Sequence, residues 1–102
     1  MYNIIITIKE LMMNEIQEIK RVILSGFPQF GGDSVNEILR DNALEVTSCG
    51  ILHGNDFIKS VCQNIQKYRK ASEKQAYCVA RFFVENSDIK EIKETKDYLL
   101  SE

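Results

Sequence analysis

Along most of this chain apolar residues recur at the three-to-four-residue spacing of an amphipathic helix, interrupted by glycine, proline and capping side chains. The first such segment runs from Asn14 to Ser25, with Ile16, Ile19, Val22 and Ile23 on one face and Glu15, Glu18 and Lys20 opposite. Gly26 is expected to end it as a left-handed terminator, and Pro28 prevents its resumption. Phe27 and Phe30 flank that proline and are expected to lid the core, while Gly31-Gly32 reads as a hinge-like loop. Ser34 and Glu37 have capping-box spacing, which predicts a short helix ending about Asn42 with Val35, Ile38 and Leu39 facing inward. Residues Leu44 to Leu52 have strand-like composition, equally compatible with an irregular buried loop.

The strongest periodicity follows Gly54. Asn55 or Asp56 can cap a helix whose stripe is Phe57, Ile58, Val61, Cys62, Ile65 and Tyr68. Ala71-Ser72 breaks it, and Ser72 with Gln75 forms a second capping box. The next helix places Ala76, Val79, Ala80 and Phe83 on one face, with Tyr77 and Phe82 beside it. So short a break makes the two helices antiparallel neighbours. A last helix is expected to open at Asn86-Ser87, with Ile89, Ile92 and Leu99 inside.

These segments predict a mainly α fold, a bundle of four or five short helices with room for a minor β element at the amino terminus or at 44–52. Residues 13–102 read as one helical domain. The β-branched stretch Tyr2 to Ile8 leaves residues 1–12 as a short strand, the first turns of a long helix, or an extension outside the domain; Met12-Met13 also offers a later initiation site. A length of 102 residues suits a single domain.

Composition changes little in this picture, but charge does. From Met1 to Asp56 there are four basic and eight acidic residues; from Phe57 to Phe83, six and one; from Val84 to Glu102, three and six. The helical hairpin is a basic island between acidic flanks. Lys67, Tyr68, Arg69, Lys70 and Lys74 crowd its turn and form the candidate partner-binding site, with Tyr77 nearby. Basic residues with aromatics can meet phosphates and stack on bases, which makes nucleic acid one candidate partner. An acidic protein surface is another. Self-association is a third, since small amphipathic domains often leave an apolar strip for a mate. Lys67, Arg69 and Lys70 also sit where cations complement a helix dipole.

Catalytic chemistry finds little support. Cys49, His53 and Asp56 can be drawn as a triad, and Cys49, His53, Cys62 and Cys78 as a zinc set, but the spacing matches neither pattern. Neither an enzymatic function, nor a metal, nor a cofactor is expected. Cys62 and Cys78 lie eight residues either side of Lys70, so an antiparallel hairpin places them level as free, packed thiols. The free amino end of the Ser72 helix, with Lys74, is a candidate site for a small anion or nucleotide. With no signal-peptide pattern, no membrane-length apolar run and three unpaired-looking cysteines, the expected location is the cytoplasm.

The run Asn55-Asp56-Phe57-Ile58-Lys59-Ser60-Val61, then Ser72-Glu73-Lys74-Gln75-Ala76, resembles a two-helix pattern of small phage and mobile-element proteins. There an Asn-x-Phe-Leu-x-Ser helix precedes a Leu-Ser-x-Lys-Gln helix; here Ala71 replaces the leucine. The resemblance covers residues 55–83. It implies a phage-like or mobile-element accessory protein in which Phe57 and Val61 pack, Ser72 and Gln75 cap, and no catalytic residue is carried over.

Overall fold

The computed structural model describes residues 8–29 and 36–100. They form five helices, α1 (Ile8–Gly26), α2 (Glu37–His53), α3 (Asp56–Tyr68), α4 (Glu73–Glu85) and α5 (Lys90–Leu100). This is the predicted all-α bundle, and no strand occurs among the described residues. No helix among them is long and apolar enough to cross a membrane.

Helix α1 lies against both α2 and α4 and touches α5, while α3 packs on α2 and α4. The predicted stripe of α1 is buried in these contacts: Ile19 and Ile23 are wholly buried, with Ile16 and Val22 beside them. Burying such a side chain is worth roughly 1.5–3 kcal/mol, so the stripe fixes the helix's orientation. The core is completed by Ile65 of α3, Val79 and Phe83 of α4, and Ile92 of α5. Two ion pairs tie the periphery to α1, Lys20 to Glu73 at 3.4 Å and Lys96 to Glu15 at 3.3 Å. Helix α1 begins at Ile8 and passes through Met12 and Met13 without a break. Tyr2 to Thr7 lie outside the described residues, as do Phe30, Gly31-Gly32, Ser34 and Val35.

Helix α2 departs most from expectation. It neither ends at Asn42 nor gives way to a strand or loop at 44–52, but continues to His53. Asn36 caps it, its Oδ1 accepting from the amides of Ile38 (2.8 Å) and Leu39 (3.3 Å). The β-branched residues that suggested a strand are buried: Val46 and Thr47 face the other helices, and packing outweighs their weak propensity. Thr47 is the buried polar residue of this core. Its hydroxyl donates to the Ala43 carbonyl at 2.9 Å, the usual recourse of a threonine inside a helix. The same oxygen accepts from Gln66 Nε2 at 2.8 Å, linking α2 to α3.

Smaller corrections have local causes. Asn86 does not open the last helix but closes α4, both its backbone N–H and its Nδ2 donating to the Phe82 carbonyl. The chain turns through Ile89 before α5 begins at Lys90. Ile38 and Phe57, expected inside, are 68% and 61% exposed. Gly26 has no left-handed backbone. It is needed because a Cβ there would fall onto Ala43 Cβ and come 2.8 Å from the Leu39 carbonyl oxygen, so α1 and α2 meet almost backbone to backbone.

Gly50 plays the same part between α2 and α3, where a Cβ would lie 2.6 Å from Cys62 Sγ. Gly50→Ala is expected to destabilise the fold by about 1–3 kcal/mol through overpacking. Cys62→Ala, which empties that space, should restore part of the loss. Urea unfolding of both single variants and the double variant checks this, the expected signature being a coupling of at least about 0.5 kcal/mol.

Candidate functional site

The five residues singled out by charge come together at the α3–α4 turn. Lys67, Tyr68, Arg69, Lys70 and Lys74 are all exposed. Arg69 closes α3 in the left-handed conformation, φ 55° and ψ 38°, the one non-glycine residue of positive φ among the described residues. Two residues on, Ala71 is completely buried and its N–H donates to the Phe27 carbonyl at the end of α1, at 3.2 Å. The predicted capping box then starts α4: the Gln75 amide donates to Ser72 Oγ at 3.1 Å, and the Ser72 amide to Gln75 Oε1 at 3.0 Å. A buried alanine and three hydrogen bonds donated by backbone amides therefore hold a turn whose cations are exposed.

Among the described residues, none of Lys67, Arg69, Lys70 and Lys74 joins an ion pair. Glu73, the acid inside this turn, is drawn off to Lys20 of α1. Tyr68 is 60% exposed, and Lys67 Nζ lies 5.3 Å from its ring centroid, within cation–π range. The tip thus offers four cations without ion pairs and one exposed aromatic ring, with Lys67 over it. Of the amides at the α4 amino end, those of Ser72 and Gln75 are already engaged by the capping box, which narrows the room for a bound anion.

A second surface went unrecognised in the sequence. The outer face of α2 carries Ile38, Leu44 and Leu52, the last 75% exposed, and α5 sets Tyr98 beside it. Between the two helices runs a groove lined by Leu44, Leu52 and Tyr98 together with Asp41, Glu45, Glu91 and Glu94. Helix α2 therefore buries one face and carries on the other exposed apolar residues interleaved with Asp41, Glu45 and Ser48. Ile38 and Leu52, two seven-residue repeats apart, were the available signal, but the continuation of the helix had to be known first.

The cysteines do not assemble chemistry. Cys49 and His53 line the α2–α5 groove, but Asp56 does not, and His53 Nε2 lies 4.0 Å from Glu91 Oε2 instead. Burial pushes the Cys49 thiol up, the Thr95 hydrogen bond opposes this, and the carboxylates of Glu91 and Glu45 push it further up. Cys62 is pushed up to about 12 by burial, with nearby Cys49 adding to it. Its sulfur lies against Gly50 of α2, and Cys78 is half-buried beside a cleft with Phe57, Arg81 and Phe82. All three are free thiols, and among the described residues no group of three His, Cys, Asp or Glu is placed to hold a metal ion.

Compared with known proteins, the chain matches no known family, no curated protein and no solved structure.

Two outcomes are expected from this geometry. Arg69→Gly should raise the unfolding free energy by about 0.5–1 kcal/mol, because glycine adopts the left-handed conformation without a Cβ penalty, whereas Arg69→Val should lower it. Chemical denaturation of both variants checks this. For Cys62 the folded value lies above the ordinary 9.0, so the unfolded state releases its proton first and stability falls as pH rises. Between pH 9 and 10 wild type should lose about 1 kcal/mol more than Cys62→Ala, measured by denaturation at each pH.

Proposed function

We propose that the chain is a non-catalytic binding protein that acts through protein–protein contact, with Lys67, Tyr68, Arg69, Lys70 and Lys74 as its contact surface. The observation that carries this reading is Arg69. A helix C-terminus that needs a left-handed residue is ordinarily served by glycine, which costs nothing there, whereas arginine costs about 1 kcal/mol. A strained cation held at an anchored tip, among three more cations without ion pairs, favours a surface kept for contact over one kept for stability. The acidic remainder of the chain argues for an acidic protein partner over a polyanion, since dedicated nucleic-acid binders are basic across the domain. The same reading places the protein in the cytoplasm, where free thiols stay reduced. A phage-like or mobile-element accessory role rests on the resemblance of residues 55–83 alone.

One observation favours a second reading, nucleic-acid binding through the same tip: exposed Tyr68 with Lys67 over its ring is a platform on which a base can stack. Fluorescence anisotropy of labelled single- and double-stranded DNA and RNA, at low and near-physiological salt, separates the two. The protein-contact reading expects no tight binding at near-physiological salt. It also expects a labelled Glu-rich peptide to shift the amide resonances of residues 67–74, an effect lost when Lys67, Arg69 and Lys70 are neutralised together. Tight nucleic-acid binding that falls steeply with salt and vanishes in the same variant would replace it with the second reading. Thermal stabilisation by inorganic phosphate or a nucleotide, without either effect, would point to the amino end of α4.

A further inference from the structure

The α2–α5 groove has no assigned role, and its chemistry is the complement of the tip. Asp41, Glu45, Glu91 and Glu94 line it with no lysine or arginine among them. Asp41, Glu45 and Glu94 join no ion pair among the described residues, and the ion-pair partner of Glu91 is His53. The thiol of Cys49 at the groove senses this field, since Glu91 and Glu45 both disfavour its ionised form. Leu44, Leu52 and Tyr98 give the groove exposed apolar walls, which an amphipathic helix already buried on its inner face does not need for folding.

We propose that this groove receives the basic tip of a second copy of the chain, joining molecules head to tail. The proposal rests on the reading of the tip as a protein-contact surface, and it names the partner. Four carboxylates meet four cations, and Tyr68, the exposed aromatic of the tip, is placed to lie on the leucines. Twofold pairing of one groove with another is disfavoured, because it would set Asp41 and Glu45 against their own copies. Tip and groove share no residue, so each molecule can give one and receive one. Such a heterologous contact extends into rings or open chains and does not stop at a dimer. The contact is small and polar, hence weak and salt-sensitive.

Analytical ultracentrifugation of the full chain, with reductant present, tests this. At about 50 mM salt the weight-average mass is expected to climb with protein concentration past that of a dimer, and association should weaken about tenfold or more by about 300 mM. Lys67→Glu/Lys70→Glu, with a reversed tip, and Glu45→Lys/Glu94→Lys, with a reversed groove, should each be monomeric alone. Mixed in equal amounts they should associate again, at least one to one, because one intact tip and one intact groove remain and the two altered surfaces are themselves opposite in charge; that result also shows both variants folded. The proposal is overturned by a wild type monomeric at millimolar concentration and low salt, by association that stops at a dimer, or by association that survives both reversals. If the wild type is monomeric while the Glu-rich peptide still shifts residues 67–74, only self-docking is lost. If the peptide fails as well, the tip itself is not a protein-contact surface.

Discussion

The position of the tip depends on how closely α1 and α2 approach at Gly26. With no side chain there, the end of α1 settles against Ala43 and the Leu39 carbonyl, and the next residue, Phe27, is buried. That places the Phe27 carbonyl where the amide of Ala71 reaches it. A side chain at Gly26 would push the two backbones apart and move the acceptor. The α3–α4 turn would then keep its capping box, which is local, but lose its tie to the rest of the bundle. A glycine on one helix thereby governs how rigidly a set of cations is presented by two others.

A net charge of -2 describes this protein poorly. The charges are sorted by the fold: cations collect at the α3–α4 turn, while carboxylates from α2 and α5 meet along one groove. Many remaining charges are spent within single helices, as in Arg81 with Glu85 and Lys93 with Asp97, both at 2.8 Å. Exposed pairs of that kind add little stability; tip and groove each instead gather several charges of one sign without partners in their own helix.

What was legible in the sequence were features set by neighbours along the chain. The Ser72–Gln75 capping box, the Asn55 cap and the inward stripes of α1 and α4 depend on residues within a turn or two, and each stands where its spacing put it. Helix α2 was not legible, because its inner face is built from Ala43, Val46, Thr47 and Gly50, small or β-branched residues that look helical only once α1 and α3 are packed on them. Phe57 misled for the opposite reason: it was assigned to the α3 stripe, but in the same first turn it is Ile58 that is buried while Phe57 faces out. The tip was visible as composition, yet its anchoring through Ala71 and the left-handed turn of Arg69 were not, and the groove joins helices some fifty residues apart in the chain.

The contact of Cys62 with Gly50 has a consequence for how long this protein stays closed. The thiol is sealed, pressed against a backbone that leaves no room for an added atom, so neither an oxidant nor an alkylating reagent can reach it while α2 and α3 remain together. Any modification found there records a moment when those helices parted. The residue is a built-in clock of structural excursions, and its accumulated label measures how often the bundle breathes.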